Sequence, residues 1–150
     1  MTKTILKTAL WIGLGLILGG YLFAGVQPRS FLALNQCGSS CYRASDLAGL
    51  LGAIGLLRAP GLLPGVVKET ERCITIKHPF PDARIHFVSV PKRDVKNIAS
   101  LSVEDGPYVL ECFAHVQALV AEHGLSAYRV LTNGPGRQGV TYLHFHLVSR

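Results

Sequence analysis

Near the end of the chain His144 and His146 alternate with Leu143, Phe145 and Leu147. Alternation of polar and apolar residues from Tyr142 on is the period of a half-buried strand. Tyr142, His144 and His146 then share one face, and the apolar residues take the other. Two imidazoles beside one bound group offer a nucleophile and a hydrogen-bonding partner near neutral pH. Immediately upstream, residues 133–139 read Asn-Gly-Pro-Gly-Arg-Gln-Gly. Free backbone amides in such a loop form an anion-binding concavity, with Arg137 adding charge. A phosphate cradle running into two histidines points to chemistry at phosphorus. The same pair with His86 also makes a three-nitrogen metal set. The loop favours phosphate, so neither a metal nor a cofactor is expected.

Asn133, Gly136, Gln138, Val140, Tyr142, His144 and His146, in this spacing, resemble the end of a histidine triad (HIT) domain. That family reads His-φ-His-φ-His-φ-φ, with φ apolar, and Tyr142 stands where its first histidine falls; as a hydrogen-bond donor it is expected to bind phosphate or substrate together with Asn133, Gly136, Arg137 and Gln138. His86-Phe-Val-Ser-Val-Pro91-Lys92 resembles a second family segment. In it His86 matches the histidine that faces the triad, while Asp94 stands where many members carry another. His78 falls at the ribose-binding aspartate, and Gly139 at a frequent serine. The resemblance implies that His144 attacks phosphorus, and that His146 and the amides of residues 136–138 stabilise the phosphoryl oxygens. It also implies that His86 supports the pair. In a second register His146 would be the nucleophile; the Gln138-x-Val140 spacing favours the first.

These groups need a scaffold, and the sequence supplies one over residues 69–150. Residues 72–77, 84–90 and 128–132 read as strands, with Pro79 and Pro81-Asp82 marking a turn. Ser102 and Asp105 form a capping box ahead of a helix over 103–123, and Gly124 stops it. Val109, Phe113, Val116 and Val120 mark its inner face. The expected fold is α+β: a HIT-like antiparallel sheet with one main helix. Cys73 and Cys112 fall in apolar patterns and read as small core residues. His115 and His123 read as ordinary surface or satisfied core histidines.

Before that domain the composition changes. Residues 8–26 carry no charge. As a helix at about 1.5 Å per residue they span roughly 29 Å, close to a bilayer's hydrocarbon core. Trp11 and Tyr21 suit the interfaces. An uncleaved transmembrane anchor over 1–28 is expected. A cleaved signal peptide is the competing reading, but both small-x-small candidates near residue 24 fail at one position. Lys3 and Lys7 precede the run, which favours the C-terminal domain outside, in a periplasm or on the equivalent face of an organelle membrane.

Residues 29–68 read as a linker. Cys37 and Cys41 can close a small disulfide loop in an oxidising compartment. Ser45-Asp46 can cap a short apolar helix to about Leu57 with a Leu/Ile stripe and small residues opposite. It suits a membrane surface, a partner's transmembrane helix or ordinary core. Pro60, Gly61, Pro64 and Gly65 then break the chain.

The net charge of +6 favours phosphate or anionic lipid, or marks only a soluble surface. Aromatic and basic residues are not interleaved, so nucleic acid is not an expected partner. Two function classes follow. One is a membrane-anchored HIT-like hydrolase or transferase acting on a phosphoanhydride or phosphoramidate, with a nucleotide or lipid-linked nucleotide as substrate. The other is a non-catalytic HIT-like subunit of a larger membrane complex. The lipid bilayer and a phosphate-containing small molecule or lipid are the expected partners, with a larger complex or a homodimer as the protein partner.

Overall fold

The computed structural model describes residues 2–32 and 42–150. The Cys37–Cys41 pair lies outside the described residues. Helix α1 runs Thr2–Phe23, α2 runs Ala44–Arg58 and α3 runs Gly106–Glu122. Five strands, β1 Val66–Glu69, β2 Cys73–Lys77, β3 Ile85–Pro91, β4 Arg129–Leu131 and β5 Phe145–Ser149, form one sheet ordered β1-β2-β3-β5-β4. Every neighbouring pair is antiparallel. The α+β expectation holds. β1 was not anticipated: it is four residues long, largely exposed, and bulged against β2.

The period-2 alternation sorts side chains between the sheet's two faces. Phe87 and Leu147 pack beneath Val116 and Leu119 of α3. Val95, Leu143 and Phe145 pack around Cys73 and Cys112. These cysteines are not free core residues. They form a disulfide between β2 and α3, with Cα atoms 5.3 Å apart, within bonding geometry. Their separation of 39 residues hid the pairing.

The Ser102/Asp105 capping box forms, with the Ser102 amide donating to Asp105 Oδ2 at 2.8 Å. The first turn, Val103–Asp105, is a 3-10 turn, so the α-helix proper starts at Gly106. Gly124, at φ +58°, ends the helix in the left-handed region that glycine tolerates.

Helix α2 packs on the opposite face of the sheet, with Ala53 and Leu56 against Ile74 and Tyr142. Its buried stripe is therefore core. Gly49 must lack a side chain, because a Cβ there would stand 2.4 Å from the Thr141 carbonyl oxygen. The Thr141 amide donates to Ser45 O at 2.9 Å. Asp46 does not cap the helix; its carboxylate accepts from the Ser30 hydroxyl instead. Helix α1 is apolar, exposed along its length, and long enough over Lys3–Phe23 to cross a membrane.

Candidate active site

The site lies on the α2 side of the sheet, where β3 and β5 pair in its interior. Val88 sits opposite His146 and His86 opposite Val148. This register makes His86 and His146 diagonal neighbours on one face, within reach of long side chains. His86 Nε2 and His146 Nδ1 are 2.9 Å apart. His144 follows on the same face, its ring edge-on to His146 at 4.8 Å between centroids.

The partners assign the tautomers. His144 Nδ1 lies 2.6 Å from the Tyr142 carbonyl oxygen. A carbonyl only accepts, so Nδ1 carries the proton and Nε2 keeps a lone pair. Asp82 Oδ1 approaches His86 Nδ1 at 2.8 Å, as a charge contact rather than an aligned hydrogen bond. That charge favours the proton on Nδ1, leaving His86 Nε2 to accept from His146 Nδ1. The remaining nitrogen, His146 Nε2, is buried and has no hydrogen-bond partner among the described residues. A buried acceptor without a partner is costly and marks a place for a ligand or water.

Burial holds the imidazoles neutral. Burial chiefly, then the neighbouring His144, His86 and His78, pushes His146 down to about 4. His144 is lowered by burial against the opposing bond to Tyr142 O. His86 is lowered by burial and by His78, against the pull of Asp82. A neutral imidazole with its lone pair on Nε2 is the nucleophilic form. His78 stacks on His86 at 4.0 Å and accepts from the Phe80 amide at Nδ1. His78, His86 and His146 offer three ligand nitrogens within 4.8 Å of one another. The Phe80 amide already occupies Nδ1 of His78.

The loop departs from the expected cradle. The amides of Arg137 and Gln138 both donate to Gly134 O, at 2.9 and 3.1 Å. They close a turn and are not free for an anion. Gly136 and Arg137 are exposed, and Asn133 is half-buried. Gln138 is buried; its Nε2 donates to Lys96 O at 3.0 Å, and its Oε1 has no partner. Tyr142 is also corrected. It borders the cleft, but its hydroxyl donates to Pro91 O at 2.8 Å, and burial raises its pKa. It serves as a core residue rather than a substrate donor.

Asp94 is structural too. Its Oδ1 meets Arg29 at 2.7 Å and its Oδ2 accepts from the Gln27 amide at 2.8 Å, with both charged side chains fully buried. The pair fastens the segment after α1 to the domain. Sequence reasoning missed Asp82, which looked like a turn residue after Pro81, and it missed α2 as a wall of the site. That wall and the sheet border a cleft of about 280 Å³ whose lining includes His78, His144 and His146.

The family described as "Scavenger mRNA decapping enzyme C-term binding" matches residues 64–150. A HIT-like protein of Chlamydia pneumoniae is 35% identical over 85 residues, covering 55% of this chain and 77% of the relative. A HIT-like protein of Synechococcus elongatus is 31% identical over 86 residues, covering 55% and 75%. Among solved structures, a HIT family hydrolase from Legionella pneumophila superposes with a TM-score of 0.57. It is 26% identical and covers 63% of this chain and 88% of its own. The family match spans more than half of the chain, and the chain belongs to the histidine triad family.

Proposed function

We propose that this protein is a membrane-anchored hydrolase or transferase of phosphoanhydrides or phosphoramidates, with His144 as its nucleophile. One observation carries the reading: Tyr142 O fixes the proton of His144 on Nδ1 and leaves the lone pair on Nε2. Nε2 attacks phosphorus, a nitrogen–phosphorus bond forms, and the bond to the leaving group breaks with its electron pair. Water, or another acceptor hydroxyl, then attacks the same phosphorus and releases His144. An incoming phosphate lends its negative charge to neutral His146 and favours its protonation. Nε2 of His146 then turns from acceptor to donor and stabilises a phosphoryl oxygen. The choice of His144 follows the first register; its bond to Tyr142 O is the supporting geometry.

Turnover of dinucleoside polyphosphates, nucleoside phosphoramidates and lipid-linked nucleotides by the full chain tests this directly. His144→Ala should lower turnover by several powers of ten, the scale for deleting a covalent nucleophile. Equal turnover by wild type and variant removes the reading and leaves the accessory-subunit alternative. That alternative draws on the structural use of Tyr142 and Asp94, and a stoichiometric large partner on gentle solubilisation supports it.

The anchor rests on the exposed apolar helix α1, and the outward orientation on Lys3 and Lys7 before it. The Cys73–Cys112 disulfide supports the same orientation, since such bonds persist in oxidising compartments. Alkaline carbonate should leave the chain in the membrane pellet. Protease added to the outer side should reach the domain; release by carbonate or protection from protease overturns the corresponding half of this placement.

A further inference from the structure

The cleft is aliphatic away from the histidines. Ile74, Ile76, Val88 and Val90 of the sheet form its floor, and Leu56 of α2 with Leu63 forms a wall. None of these side chains can donate or accept a hydrogen bond. The hydroxyl of Tyr142 is committed to Pro91 O. A nucleobase or ribose placed here would leave its polar groups unpaired, whereas a hydrocarbon chain matches the lining.

The wall also has a distinctive origin. Gly52, Leu56 and Leu63 precede residue 64, where the family match begins. The wall continues to the foot of the apolar helix: Val26 packs in the cluster with Leu56 and Leu63. Arg58 donates to Ala24 O at 2.6 Å and lies over the Tyr21 ring at 4.7 Å. The helix that walls the aliphatic slot is therefore tied at its C-terminal end to the foot of α1, where a spanning helix leaves the bilayer.

We infer that the slot holds the hydrocarbon chain of a phosphate-bearing membrane lipid, with its phosphorus at His144. This rests on the proposed phosphoryl-transfer reading and names the substrate's other half. The chain lies along Leu56 and Leu63, the phosphate meets the imidazoles, and the leaving group points away from α2. Gly52 borders the slot with only Val140 near a would-be Cβ, at 4.0 Å, so a large side chain there projects into the space without striking backbone.

Two measurements on the full chain in lipid nanodiscs test this. In the first, a dodecyl phosphate carrying a diazirine near the end of its chain is photolysed and the adducts are mapped. Adducts on Leu56, Leu63 or Val140, lost in Gly52→Phe and retained in Gly55→Phe, are expected. Gly55 has open space around it and does not line the cleft. Adducts elsewhere, or an unchanged pattern in Gly52→Phe, overturn the inference. This readout needs no turnover, so it stands apart from failure of the phosphoryl-transfer reading. In the second, nucleoside diphosphates esterified with methyl, octyl or dodecyl alcohol are compared. Dodecyl should exceed methyl at least tenfold in kcat/KM, and Gly52→Phe should erase that difference. Equal kcat/KM across the series assigns the slot to something other than a lipid chain.

Discussion

Histidines on the two faces of the sheet live under opposite conditions. On the sheet-facing side of α3, His115 is buried and both its ring nitrogens have partners: Nδ1 meets Thr75 Oγ1 at 2.9 Å, and Nε2 meets Thr70 Oγ1 at 3.3 Å. Thr75 in turn meets Ser89 at 2.8 Å. On the α2 side, His146 is buried to a similar degree, yet only Nδ1 is paired. Gln138, on the loop leading into this face, also keeps a buried oxygen without a partner. The two burials cost alike in desolvation, but only one is repaid within the fold. A satisfied buried histidine stabilises structure; a half-satisfied one in a cleft is poised for a ligand.

Substitutions can break or sharpen this contrast. The largest stability effect is expected at Asp94, whose two carboxylate oxygens are both taken. Asp94→Ala leaves Arg29 buried without its counter-charge and should cost about 3–5 kcal/mol, read by denaturant unfolding. A loss below about 1 kcal/mol would mean that the pair is open to water. Next comes His146→Leu. It removes the unpartnered Nε2 from the interior but also the 2.9 Å bond to His86, two opposing effects, so Tm should change little. Turnover should fall about a hundredfold or more, on the scale of one transition-state hydrogen bond. His115→Leu should do the reverse. It takes one partner each from Thr75 and Thr70, leaves the Thr75–Ser89 bond in place, and should cost about 1–3 kcal/mol, with kcat per folded molecule unchanged. If His115→Leu lost turnover and His146→Leu lost stability, the assignment of the two faces would be backwards.

The smallest effect is that of pH on stability. His146 ionises near 4 in the folded chain, against an ordinary 6.5. Between these values the unfolded chain binds a proton that the folded chain refuses, so stability falls as pH drops. His86, His115 and His144, all lowered by burial, act in the same direction. Tm should therefore be constant above about pH 6.5 and decline toward pH 4. His146→Leu should flatten the decline; an unchanged slope would place the acid sensitivity elsewhere.

The contrast between faces also shows what a single sequence discloses. Alternation is local, so the faces of β5 and β3 were legible, as were the Ser102/Asp105 box and Gly124, although β5 begins at Phe145 rather than at Tyr142. That His86, His144 and His146 come together on one face was legible for the same reason. What was illegible depends on partners far along the chain. Asp94 meets Arg29 across 65 residues, and Cys73 meets Cys112 across 39. Tyr142 looked like a substrate donor because nothing near it in sequence claims its hydroxyl. Small residues in α2 gave no direction; their role comes from Thr141 pressing on Gly49. The loop 133–139 has the composition of an anion cradle, but composition does not reveal that two of its amides fold back onto Gly134 O.

The central claim is that the open face performs nucleophilic chemistry at phosphorus through His144. Its most direct test is rapid acid-free quenching during turnover, followed by mass spectrometry of the 142–150 peptide. A phosphoryl- or nucleotidyl-histidine on His144, absent from His144→Ala and accumulating in His146→Leu, is the predicted result. An adduct on His146 instead, or turnover at full rate with no adduct on either histidine, contradicts it.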